Sequence, residues 1–231
     1  MKLNTYYLYG ILVVSFLMIS SLCVAGPVIG GTRVIYNSGK KETSISIKNE
    51  GKDGAYLIQS WVEPGQDTAY NKAPFIVTPP LFRIDQNEEN ILRIVYTGSN
   101  LPTDRESVFW LNVKTIPAMD SSMRDENTLK VVVKSRIKIF YRPENLPGNS
   151  IETYKKIQLS RNGNILKIRN DTPYYISFYK ISVAGKEIKD IEMISPKSSI
   201  DYSLSSNSPV KISWQTINDY GGISPVEEKT L

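Results

Sequence analysis

The sequence predicts an all-β protein made of two β-sandwich domains in tandem, and three observations carry that expectation. Short segments rich in Val, Ile, Thr, Tyr and Phe recur along the chain, separated by Gly, Pro, Asn and Asp, as the strands of a sandwich are. No stretch holds a helical apolar period for three turns, so helix content is expected to be low. A proline- and asparagine-rich break, "RPENLPGNS" at 142–150, follows the longest strand-like run and forbids its continuation.

Residues 1–25 are set apart first. Lys2 precedes an apolar run from Ile11 to Leu22, and small residues follow at Val24, Ala25 and Gly26, the pattern of a cleaved secretory signal with its cut after Ala25. The run falls short of the about 20 apolar residues of a membrane span, so no membrane insertion is expected after cleavage. Lipid attachment at Cys23 is the alternative, and Leu22 stands where a small residue is normally required for it. Cleavage removes the only cysteine of the 231 residues, which leaves no disulfide and no thiolate metal site. The chain has no histidine, which excludes Ser-His-Asp and Cys-His catalysis and the usual zinc ligand sets. The expectation is a non-enzymatic protein with no metal and no cofactor. A net charge of +5 is modest at this length and fits either an acidic ligand or mere solubility.

From Gly31 onward the expected strands follow in order. The first domain, 26–143, reads as "TRVIY" (32–36), "TSISIK" (43–48), "YLIQSWVE" (56–63), "PFIVT" (74–78), "ILRIVY" (91–96), "SVFWLNV" (107–113) and "LKVVVKSRIKIFY" (129–141). Each is β-branched or aromatic in bulk and bounded by turn residues. The polar stretch "PAMDSSMRDEN" at 117–127 reads as a loop between the last two. After a linker at 144–150, the second domain, 151–231, resumes with "KKIQL" (155–159), "NILKIR" (164–169), "YYISFYKI" (174–181) and "PVKISWQ" (209–215).

The run from Leu129 to Lys138 alternates. Leu129, Val131, Val133, Ser135 and Ile137 share one face, while Lys130, Lys134, Arg136 and Lys138 share the other with Val132. Period-two alternation alone turns the apolar face into the domain's own core and the cations to water. On the same reading Arg33 and Lys138 are strand cations snorkelling to solvent, Glu106, Arg142 and Asp219 are scattered surface charge, and Thr78-Pro79-Pro80 is a rigid turn, with a cis bond as one option. Cations interleaved with Phe140 and Tyr141 also suggest a nucleic-acid binder. The secretory leader and the dispersal of the charge speak against it, so no nucleic-acid partner is expected.

Several motifs together resemble one family. "GTRVIY" (31–36), "TPP" (78–80), "DRESVFWLNVKTIP" (104–117), "RIKIFYRP" (136–143), "NDTPYYISF" (170–178) and "INDYGG" (217–222) are similar to motifs of the periplasmic pilus chaperones of the chaperone–usher pathway, PapD-like proteins of the short-loop branch. The resemblance implies two immunoglobulin-like domains in an L-shaped, boomerang arrangement with a cleft between them. It implies a periplasmic protein that lends a strand to an incomplete pilus subunit in a 1:1 complex and delivers it to the outer-membrane usher, by the strand addition known in this system. It makes Leu129, Val131, Val133 and Ile137 pocket fillers that point outward, reversing the reading from alternation. Arg33 and Lys138 become the anchor for the subunit's C-terminal carboxylate, and Glu106, Arg142 and Asp219 an inter-domain ion-pair network. Leu57, Gln59, Thr78, Pro79, Pro80 and Arg93 become usher-facing residues. A self-capping homodimer of the free protein is a further expectation, since an exposed apolar ridge invites association. The competing reading is another extracytoplasmic immunoglobulin-like binding or adhesion protein with no chaperone role. Many short-loop members carry a disulfide in the second domain, which this chain lacks.

Overall fold

The computed structural model describes residues 26–51, 54–65, 71–98, 101–118, 129, 131–205 and 209–231. The leader and most of the loop expected at 117–127 lie outside the described residues.

Among the described residues nine strands build the first sandwich: β1 (Pro27–Ile29), β2 (Arg33–Asn37), β3 (Thr43–Asn49), β4 (Tyr56–Pro64), β5 (Phe75–Thr78), β6 (Leu81–Ile84), β7 (Glu89–Tyr96), β8 (Ser107–Pro117) and β9 (Val133–Arg142). One sheet has the order β1-β3-β7-β5 and the other β2-β9-β8-β4-β6. Alternation decides which side chains meet between them. On β4, Tyr56 and Ile58 are buried while Leu57 and Gln59 face out, and on β7 Leu92 and Ile94 are buried between exposed Ile91 and Arg93. The core is closed by aromatic contacts, with Tyr36 stacked on Tyr141 at 5.9 Å and Phe75 edge-on to Phe109 at 5.0 Å.

The second sandwich follows a 3₁₀ helix, Ser150–Lys156, whose entry is capped by Asn149 accepting a hydrogen bond from the Ile151 amide. Its strands are β10 (Ile157–Asn162), β11 (Ile165–Asn170), β12 (Ile176–Val183), β13 (Lys186–Glu187), β14 (Met193–Ile194), β15 (Ser198–Ser203), β16 (Lys211–Thr216) and β17 (Glu227–Thr230). The sheets run β10-β11-β15 and β13-β12-β16-β17, with β14 also on β12. A second, separate core gathers Leu166, Ile168, Ile176, Ile181, Ile212 and Trp214. The Trp214 indole donates to the Tyr154 carbonyl at 2.8 Å and so ties the 3₁₀ helix to that core.

Two differences from the sequence reading have plain causes. Lys155 and Lys156 close the helix rather than open a strand. Strands β15 and β17 escape a search for β-branched runs because they read "SSIDYS" and "EEKT"; partly exposed strands need few apolar residues, and charge blunts an exposed edge.

Asn170, fully buried, holds the turn that leads into β12. Its amide donates to the Tyr174 and Ser195 carbonyls at 2.7 and 3.0 Å, and its oxygen accepts from the Thr172 amide and hydroxyl. Removing it strands several buried groups, so Asn170→Ala should lower the second domain's unfolding free energy by about 2 kcal/mol or more in denaturant titrations.

Candidate functional site

Strand β9 carries most of the candidate residues, and its neighbours differ along its length. It pairs antiparallel with β8 from Val133 to Tyr141, but parallel with β2 only from Lys138 to Arg142. Among the described residues, Val133–Ile137 therefore has a ladder partner on one side alone, which leaves backbone donors and acceptors open on the other.

The odd-numbered face of β9 is the core-facing one, as Ile139 at 0% exposure shows. Ile137 is half-buried and packs against the first core. Beyond it the sandwich gives out: Val133 is 53% exposed, Val131 65% and Leu129 92%. The parity of the alternation is thus the parity of the fold, while the packing that parity implied ends between Ile137 and Val133.

The even-numbered face of β9 looks out over the five-stranded sheet. Lys134 lies over the Trp61 ring at 5.0 Å and Arg136 over Trp110 at 4.3 Å, with Lys138 5.6 Å from the same ring. Lys138 stands directly across from Arg33, the first residue of β2. Arg33 donates from Nη1 to the Ile217 carbonyl at 3.0 Å, and its buried Nε has no hydrogen-bond partner. Among the described residues Lys138 has no carboxylate within 4.0 Å. Burial lowers the pKa of the Lys138 ammonium and repulsion from Arg33 lowers it further, against a pull from Glu192. Burial lowers the Arg33 pKa too, opposed by Asp219 and Glu106. Two adjacent, partly desolvated cations without a counter-ion between them suit an incoming anion. Beside them a cleft of about 630 Å³ opens, walled by Trp110 and Lys138 of the first sandwich and by Asp190, Glu192, Met193 and Ile200 of the second.

At its far end β9 reaches the domain junction. Arg142 Nε donates to Glu106 at 2.7 Å, while Nη1 and Nη2 grip the two oxygens of Asp219 at 2.6 and 2.8 Å. The second Glu106 oxygen accepts from the Tyr175 amide at 2.7 Å, and the Ser150 hydroxyl donates to Asp219 at 2.8 Å. Burial pushes the Glu106 carboxyl up to about 7, with the Arg142 charge and the Tyr175 amide opposing. Burial also works against the Asp219 carboxylate, yet the hydrogen bond and charge of Arg142 hold its pKa below the usual range. For Arg142 burial disfavours the charge, and the hydrogen bond to Asp219 and the field of Glu106 outweigh it, raising its pKa. Phe140 packs on Tyr175 at 5.6 Å, Lys197 pairs with Asp104 at 2.6 Å, and Gly221, at φ +82°, brings its backbone so near Thr32 that a Cβ there would stand 2.8 Å from the hydroxyl.

The remaining candidates fall into two groups. Leu57 and Gln59 are on the outer face of β4, opposite Arg83 and Leu81 of β6. Thr78 and Arg93 are paired across β5 and β7 on the outer face of the other sheet. Pro79 and Pro80 cross from one sheet to the other, with a cis Thr78–Pro79 bond and both proline carbonyls bonded to Ser60. The six residues therefore wrap one edge of the sandwich and do not share a flat face.

Sequence reasoning missed Trp110, Glu63, Ser150 and the Tyr175 amide. Each acts through register, which brings "SWVEP" and "FWLN" beside the cations of β9, and register is not visible in single strands.

Comparison with known proteins agrees with this architecture. The N-terminal domain of PapD, the pili and flagellar-assembly chaperone, matches residues 26–147, and the PapD C-terminal domain matches 152–228. The chain belongs to the family of PapD-like pilus-assembly chaperones. It is 40% identical over 219 residues to the chaperone protein FimC of Escherichia coli K12, covering 94% of this chain and 90% of FimC. It is 39% identical over 222 residues to the fimbrial chaperone LpfB of Escherichia coli O157:H7, covering 95% of each. Among solved structures, the complex of Salmonella enterica SafA pilin with the SafB chaperone matches with a TM-score of 0.77 at 30% identity, covering 91% of this chain and 99% of the other. The YadV chaperone matches with a TM-score of 0.74 at 35% identity, covering 90% and 100%.

Two outcomes test the junction. Arg142→Ala should leave both cores folded and change the inter-domain angle seen in small-angle scattering; an unaltered profile contradicts the strut. For Asp219, whose pKa Arg142 holds below the usual carboxylate range, the contribution to stability is whole above that range and lost as the pH falls through the lowered value. The difference in unfolding free energy between wild type and Asp219→Asn should therefore shrink on acidification, and a flat difference refutes the pairing.

Proposed function

We propose that this pilus chaperone captures subunits by lending β9 to them as a missing strand, with Arg33 and Lys138 holding the subunit's C-terminal carboxylate. The observation that carries the reading is the open edge of β9 ending at two cations that, among the described residues, have no carboxylate within 4.0 Å. An incomplete subunit exposes an apolar groove and unpaired backbone, both costly in water. The ridge Leu129, Val131 and Val133 is exposed and fills such a groove, while the ladder supplies affinity. Each side chain contributes on the order of 1.5–3 kcal/mol of gross transfer free energy, partly offset by the cost of association.

The direction of the guest strand follows from the register. β2 occupies the β9 edge from Lys138 onward, so a strand on the open part whose C-terminus meets Arg33 and Lys138 runs parallel to β9. Fixing that end sets which guest residue faces which pocket. Ile137 contributes to the guest only if it leaves the first core, so three anchors carry the groove.

The wider setting belongs to the same proposal. Residues 1–25 direct export to the periplasm, and 26–143, 144–150 and 151–231 form the donor domain, linker and second domain. Glu106, Arg142 and Asp219 keep the cleft at a working angle. The edge formed by Leu57, Gln59, Thr78, Pro79, Pro80 and Arg93 meets the usher. The free ridge is capped by a second copy, and strand addition requires no nucleotide or cofactor.

Lys138→Ala should leave folding intact and weaken binding of a cognate subunit's C-terminal peptide by roughly 2–5 kcal/mol. Calorimetry showing unchanged affinity would sink the anchor.

A further inference from the structure

The cations of β9 stand one strand repeat apart at Lys134, Arg136 and Lys138, all on the outer face. A guest strand slipped by one residue puts its wrong face into the ridge, but a slip by two keeps the right face and is not opposed by the apolar pattern. Such a slip moves the guest's carboxylate from Lys138 to Arg136. Glu63 on β4 stands against it. Its carboxylate lies 3.6 Å from Lys134 and 3.7 Å from Arg136, and it accepts a hydrogen bond from the Trp61 indole at 2.9 Å, which fixes it over the sheet. Lys138, further along, is beyond its reach within 4.0 Å.

We propose that Glu63 is a specificity-determining residue that offsets one unit of the charge on the two decoy cations, and so leaves the Arg33–Lys138 pair as the stronger site for a terminal carboxylate. It acts on register and not on capture itself. The hydrogen bond from Trp61 keeps Glu63 ionised, its pKa lowered further by Lys134 and Arg136, so the masking persists at neutral pH. This inference rests on the carboxylate-anchor reading above.

Disulfide trapping reads it directly, because the chain after its leader has no cysteine. Ser135→Cys is introduced in the full mature chain. The probes are nine-residue peptides of alternating valine and threonine with a free C-terminal carboxylate, each with a single cysteine at a different distance from that end. Wild type should trap one peptide preferentially. E63Q should raise trapping of the peptide whose cysteine lies two places nearer its carboxylate, on the order of threefold, the scale of an exposed ion pair. Adding K134Q and R136Q to E63Q should restore the single register, a rescue that a merely structural role for Glu63 would not produce. An E63Q profile equal to wild type overturns the inference. The anchor reading fails separately, if amidating the peptide's C-terminus leaves the wild-type profile unchanged.

Discussion

One guanidinium holds the two halves of this molecule in register. Arg142 has five donors in a rigid fork, and it directs three of them to a carboxylate from its own sandwich, Glu106, and to both oxygens of one from the other, Asp219. Burying such a cluster is costly unless nearly every lone pair is used. The Tyr175 amide and the Ser150 hydroxyl meet that requirement, and they come from the second domain and from the helix that opens it. The junction is therefore stitched by hydrogen bonds that no single domain can complete.

The position of Arg142 matters as much as its partners. It is the last residue of β9, whose other end carries the exposed Val133 and whose middle carries Lys138. Val133, Lys138 and Arg142 are thus fixed relative to one another by a strand, with no loop between them. A rise of about 3.3 Å per residue puts each at a set distance from the next, and Asn170 keeps the Tyr174–Tyr175 turn where the strut needs it.

Much of this was legible in the sequence and some was not. Strand periodicity identified both sandwiches, because Ile45 and Ile47 in the first alternate with Ser44, Ser46 and Lys48, and Leu166 and Ile168 in the second flank Lys167, as half-buried strands do. The exposure of Leu129, Val131 and Val133 was not legible from periodicity, since alternation reports a face and not how far the opposing sheet extends. The resemblance to pilus chaperones pointed them outward, and it carried Ile137 along with them although that side chain packs on the first core. Glu106 and Asp219 became partners of Arg142 through the same resemblance; charges far apart in a chain have no local pattern to join them. Neither periodicity nor the resemblance assigned Trp110 or Glu63 a role, and only the pairing of β4, β8 and β9 brings them beside the cations.

The unequal flanks of β9 also give the molecule a mechanical grain. Nine residue pairs bind the strand to β8, and five bind it to β2. A load drawn along β9 from its Val133 end shears the whole β8 ladder at once and arrives at Arg142, where the ion pairs pass it to the second domain. A load across the sheet peels pairs singly, beginning at the terminal pair Thr115–Val133. The strand with the open edge is thereby stiff along its own line and compliant across the sheet.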